Sequence, residues 1–186
     1  SVTGVQTWLF RSVSYNDNIS ENHLKIVEVI PEKRLALFAE MEDKYEKKDV
    51  DYFVKLLNNE DYVVRTRATC ILVDFGGEDK IPYIARVLKN DENELVRHEA
   101  AFSLGQMGYR SAIPHLEDAT SNDPSMFVRH EAAIALGVVG AKDAIPTLTK
   151  ALADPSQPVV ESAIVALSNL EFMEKLSKNE KFAKLT

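Results

Sequence analysis

The chain has 186 residues, 45% hydrophobic and 27% charged, enough apolar material for a buried core and too much for a disordered chain. A formal net charge of −7 argues against nucleic acid, which needs a basic patch, and no apolar run approaches the roughly 18 residues that cross a bilayer. The single cysteine, Cys70, excludes an internal disulfide and fits a reducing compartment, so the expected location is cytoplasmic, with no membrane partner.

Residues 2–12, VTGVQTWLFRS, resemble the translation of a sequencing-adapter oligonucleotide with a small frame slip near Trp8. Segment 1–12 is therefore read as non-native and kept out of fold reasoning; the other reading is a short native amphipathic segment. On the first reading Trp8 carries no functional weight, and the natural chain is expected to extend upstream of Val13. Residues 13–48 carry no repeat. Pro31, Glu32 and Lys33 read as a helix start, and Arg34 to Lys47 suit a charged amphipathic helix. This stretch is expected to be an N-terminal cap or a degenerate repeat.

From residue 49 to 173 the chain repeats itself. At an offset of 32 residues Val64, Val96 and Val128 align, followed by Arg65, Arg97 and Arg129. Ala68, Ala100 and Ala132, then Leu72, Leu104 and Leu136, then Gly76, Gly108 and Gly140 continue the register. Ile81, Ile113 and Ile145 each precede a proline, and at an offset of 31 Val159, Ala163 and Leu167 extend the series. A fixed period of this length marks a stacked array. Each unit predicts a first helix opened by proline, such as Ile113 to Thr120, where a missing N–H costs nothing. A polar loop follows (Ser121 to Pro124), then a second helix, Val96 to Met107 or Val128 to Val139, closed by a glycine in a left-handed cap. Spacing of about 100° per residue puts Val96, Ala100, Ala101, Leu104 and Met107 on the core side, with His98, Glu99, Phe102 and Gln106 opposite, towards the concave surface of the array. Residues 174–186, rich in lysine and glutamate, read as a polar helical C-terminal cap. The expected fold class is all-α: an α-solenoid of HEAT-like, phycobilin-lyase-type helix pairs with a period of about 32.

The second helices of the two central units open with the same word: Val96-Arg97-His98-Glu99 and Val128-Arg129-His130-Glu131. The flanking units have Thr66-Arg67 and Glu161-Ser162 at these positions. Packed helices lie roughly 8–10 Å apart, so two imidazoles on neighbouring helices are within reach of one ion. Imidazole nitrogen with ionised carboxylate oxygen suits iron, manganese or zinc, and such sites with open positions admit dioxygen. The competing reading is a solvated polar ridge copied by duplication. The two units have nonetheless diverged elsewhere, as at Phe102-Ser103 against Ile134-Ala135.

On these residues, and on Leu95 to Gly108, Ala112 to Pro114 and Phe127 to Gly137, the sequence resembles deoxyhypusine hydroxylase, a HEAT-repeat di-iron monooxygenase. The resemblance covers about residues 47–174 and corresponds to one half of that family's two-half architecture. It implies His98 and His130 as iron ligands, with Glu99 and Glu131 as their carboxylate companions. It implies hydroxylation of a deoxyhypusine side chain on a translation factor as the reaction. The family uses four His-Glu pairs and this chain has two, so a di-iron site needs a missing upstream half or a homodimer. Glu94, Asp118 and Glu161 are carboxylates that suit the substrate's cationic amine, none with an assigned role. The alternative function is a non-catalytic scaffold holding another protein on its concave face. A third is a lyase or chaperone for tetrapyrrole attachment.

Other chemistry-bearing residues are read as structural. His115 and His23 have no counterparts, Cys70 aligns with Phe102 and Ile134, and Arg97 and Arg129 recur with Arg65 as pairing partners for neighbouring acids. No phosphate loop, Ser-His-Asp set or zinc cysteine cluster is present.

Overall fold

The computed structural model describes residues 32–178; segment 1–12, Trp8, His23 and residues 179–186 of the expected C-terminal cap lie outside them. The chain divides into two compact units between Glu42 and Asp43. Residues 32–42 of the first unit belong to helix α1 (Glu32–Glu46).

In the second unit helices follow one another in pairs: α2 (Val50–Leu56) with α3 (Tyr62–Phe75), α4 (Ile81–Asn90) with α5 (Glu94–Met107), α6 (Ile113–Asn122) with α7 (Met126–Val139), and α8 (Ile145–Ala151) with α9 (Gln157–Ser177). Second helices stack in the order α3, α5, α7, α9, and first helices in the order α4, α6, α8. This is an all-α solenoid, with no strand among the described residues. None of its helices is long and apolar enough to cross a membrane.

Local chemistry sets the boundaries. Each of α4, α6 and α8 has its proline in the first turn, preceded by a three-residue 3₁₀ turn. α5 and α7 start two residues earlier than Val96 and Val128 suggest; at α5 the Asn93 side chain accepts a hydrogen bond from Leu95 N–H, as Asp61 accepts from Val63 N–H at α3. α6 runs on through Asn122, into the stretch read as loop. Gly108 and Gly140 close α5 and α7 in the left-handed region (φ 69° and 74°), as the repeat predicts. Gly76 has positive φ but extended ψ, −178°, so α3 ends differently. α9 is continuous to Ser177, through the expected start of the C-terminal cap at 174.

The aligned valines, alanines and leucines form the core. Val64, Val96, Val128 and Val159, Ala68, Ala100, Ala132 and Ala163, and Leu72, Leu104 and Leu136 are buried, each larger side chain contributing about 1.5–3 kcal/mol. Burial extends beyond that arc. Ser103 and Gly105 are buried as well, because α7 lies against α5: a Cβ added at Gly105 would stand 2.7 Å from Ala135 Cβ. Helices in an array have neighbours on both flanks, so His98, Glu99 and Phe102 are half-buried and only Gln106 is exposed.

A ladder of ion pairs joins the units. Arg65 makes a bidentate pair with Asp91 (2.7 and 2.9 Å), Arg97 with Asp123 (2.8 and 3.0 Å) and Arg129 with Asp154 (2.8 and 3.0 Å). Each arginine also donates to carbonyls of the turn before its own helix, as Arg97 does to Asp91 and Glu92. Each aspartate, from the inter-helix turn of the next unit, accepts a backbone N–H two residues on. With every partner present, nearly buried charges become bearable and fix the register between units. The recurrent arginines are thus pairing residues, as the sequence suggests.

Candidate metal centre

His98 and His130 lie one turn into α5 and α7, held by the same local sequence in equivalent places. The direct contact between the two pairs is imidazole to carboxylate: His98 Nε2 lies 3.4 Å from Glu131 Oε2. The Glu131 side chain is 12% exposed and that of His98 32%. The hydrogen bond to Glu131 pushes the His98 pKa up, against burial, which works the other way.

The remaining members extend this line along the second helices. Glu99 accepts from the Cys70 thiol of α3, Sγ to Oε1 3.1 Å. Burial raises the Glu99 pKa above the usual carboxylate range, a rise to which the Glu131 charge adds and which His98 opposes. Burial, with Glu99 beside it, pushes the Cys70 thiol pKa up, which disfavours the thiolate. His130 Nδ1 lies 2.6 Å from Ser162 Oγ and 3.4 Å from the Pro158 carbonyl, both on α9. Three consecutive contacts thus run from α3 to α9: Cys70 to Glu99, His98 to Glu131, His130 to Ser162.

A separation of 3.4 Å is the edge spanned by two ligands each about 2.1 Å from one ion at a near-tetrahedral angle. His98 Nε2 and Glu131 Oε2 therefore fit as neighbouring ligands of a single metal ion, one from each helix. Glu99 belongs to the same electrostatic cluster. Among the described residues no three His, Cys, Asp or Glu groups converge closely enough to hold an ion by themselves. The donor types of the His98–Glu131 contact are those of a mixed nitrogen–oxygen site.

Other residues singled out from the sequence fall elsewhere. Asp118 is on α6, in the row of first helices, held by Lys89 at 2.7 Å, which lowers its pKa. Glu94 accepts from the Ser125 hydroxyl, Glu161 is exposed beside Gln157, and His115 is exposed on α6. Two surface clefts, one at Tyr83 and Arg86 and one at Pro114 and His115, include none of the four His and Glu residues. Sequence reasoning gave Ser162 no part and read Cys70 as structural, without its contact to Glu99. Ser162 was within reach, since an offset of 31 places it on Glu131.

The fold and the repeated pairs define a HEAT-repeat protein, and a HEAT repeat family model matches residues 84–168. The particular likeness is to deoxyhypusine hydroxylase. The structure of the human enzyme in complex with glycerol is 30% identical, with a TM-score of 0.64, over 73% of this chain and 48% of that one. The chain thus spans about half the length of that enzyme. The complex of CpcE and CpcF of phycocyanin lyase from Nostoc sp. is 21% identical over 70% of this chain and 71% of that one, with a TM-score of 0.44. None of the curated proteins matches the chain in sequence.

Proposed function

We propose that this chain supplies one half of a deoxyhypusine hydroxylase-type metal site, through His98, Glu99, His130 and Glu131. The observation that carries the reading is the 3.4 Å approach of His98 to Glu131 between α5 and α7. The contact brings one nitrogen and one oxygen donor, from two helices, to the spacing of neighbouring ligands. The 30% identity to human deoxyhypusine hydroxylase supports iron as the metal, which when bound would supply dioxygen activation for a monooxygenase reaction. The substrate on this reading is a deoxyhypusine-bearing translation factor, docked in the cytoplasm against the row of second helices.

The chain's own residues have definable tasks. His98 and Glu131 clamp one ion from two helices, so its position depends on the packing of α5 against α7. Glu99, shielded from water and steadied by the Cys70 thiol, is a second carboxylate beside that ion. A closed set requires a facing half, from further chain or from a second copy in a homodimer.

The test is metal analysis of protein purified without a chelating tag and reloaded with ferrous iron under nitrogen. Bound iron is expected, and its loss on His98→Ala or Glu131→Ala, each of which removes a direct ligand. A wild-type chain that sizing shows to be dimeric and that still retains no iron would overturn the reading and leave a metal-free scaffold that binds a partner protein.

A further inference from the structure

His130 is held differently from His98. Ser162 stands one turn into α9, 4% exposed, and its hydroxyl donates to the Pro158 carbonyl at 2.7 Å. A serine hydroxyl has one proton. With that proton directed at Pro158, Oγ turns a lone pair towards His130 Nδ1, 2.6 Å away. The Pro158 oxygen, which can only accept, is 3.4 Å from the same nitrogen. Two electron-rich atoms facing Nδ1 require a hydrogen on it. A neutral imidazole carries one N–H, so Nε2 is left with its lone pair free.

We infer that Ser162 is a positioning residue that locks His130 as the Nδ1–H tautomer and so presents Nε2 as a ready metal donor. The inference rests on the metal reading above and deepens it. Metal-bound histidines are oriented by the group that takes their other ring N–H. At His130 that group is supplied by the next repeat, at the position where the two central repeats carry glutamate. A glutamate in place of Ser162 would add a third buried carboxylate to this line of side chains. Serine accepts the same N–H without adding charge. The fourth repeat therefore serves the site of the third without contributing a ligand.

The experiment reads tautomer and metal binding separately. Long-range ¹H–¹⁵N correlation spectra of the metal-free chain at pH 8 assign the tautomer of His130. The wild type is expected to show the proton on Nδ1, Ser162→Thr to keep it there, and Ser162→Ala, which leaves only the Pro158 carbonyl at 3.4 Å, to shift population towards Nε2. Titration with Co(II) is expected to give a 10–100-fold weaker affinity for Ser162→Ala and near wild-type affinity for Ser162→Thr. A wild-type proton on Nε2, needing no variant, overturns the inference. So does a Ser162→Ala protein with unchanged tautomer and affinity. A wild type that binds no Co(II) while its tautomer is as expected overturns the metal reading, and the ligand-positioning role of Ser162 with it.

Discussion

At the scale of single residues, the telling interaction is the one between His98 and Glu131. A histidine whose pKa is raised by a carboxylate is stabilised in its charged form. Its contribution to folding is fully present below the pKa of an unfolded imidazole, about 6.5, and disappears as pH rises through the higher folded value. The metal-free protein should therefore lose part of its stability between roughly neutral and mildly alkaline pH, measured as Tm against pH. In Glu131→Gln the His98 titration, followed by NMR, should shift downward and that part of the pH dependence should vanish; an unchanged titration would show that the pair does not form. The His-Glu words were plain in the sequence, and their burial was not. Helical periodicity assigns one face to the core, but a stacked helix is flanked twice, so His98 and Glu131 sit in a seam that a single-helix view turns to water. Ser162 was overlooked for the related reason that repeat comparison draws the eye to identities. Its contribution arises where the repeat changes.

At the scale of the element, glycine and arginine decide how helices meet. Gly137 lets α9 approach α7 until a Cβ there would lie 2.8 Å from Ala166 Cα and 2.9 Å from its Cβ. Alanine at this position gains about 1 kcal/mol of helix propensity but meets backbone, which cannot swing aside. Gly137→Ala should be destabilising overall, by about 1–2 kcal/mol, in urea unfolding. Gly105→Ala should behave alike through Ala135. Breaking the Arg129–Asp154 pair should cost about 3 kcal/mol, since Arg129→Ala leaves a nearly buried carboxylate behind. Arg129 holds the Asp154 pKa below the usual carboxylate range. That stability is present above the unfolded value and is lost as pH falls through the lower folded one, so an acid melt of Arg129→Ala should be flatter below about pH 4 than that of the wild type. The two central helix pairs were legible, because proline opens their first helices and glycine closes their second. The starts of α5 and α7 lie two residues before Val96 and Val128, and at α5 the Asn93 cap outranks the first apolar position.

At the scale of the whole array, each unit leans only on its neighbours, so protection should follow position along the stack. Amide hydrogen exchange is expected to be slowest in α5 and α7, which have second helices on both sides, and faster in α8 and the far end of α9, where Phe172 and Met173 are exposed. Uniform exchange across the four pairs would contradict a nearest-neighbour array. The candidate metal centre sits in the part of the stack expected to open last, which suits a site whose geometry depends on the spacing of two helices.

The guanidinium–carboxylate joint is built identically between every adjacent pair of units, with its donor on one and its acceptor on the next. Cutting out one whole unit would therefore bring together a donor and an acceptor that still match, and inserting a copy would do the same. Such a chain can be lengthened or shortened by unequal genetic exchange without stranding a charge.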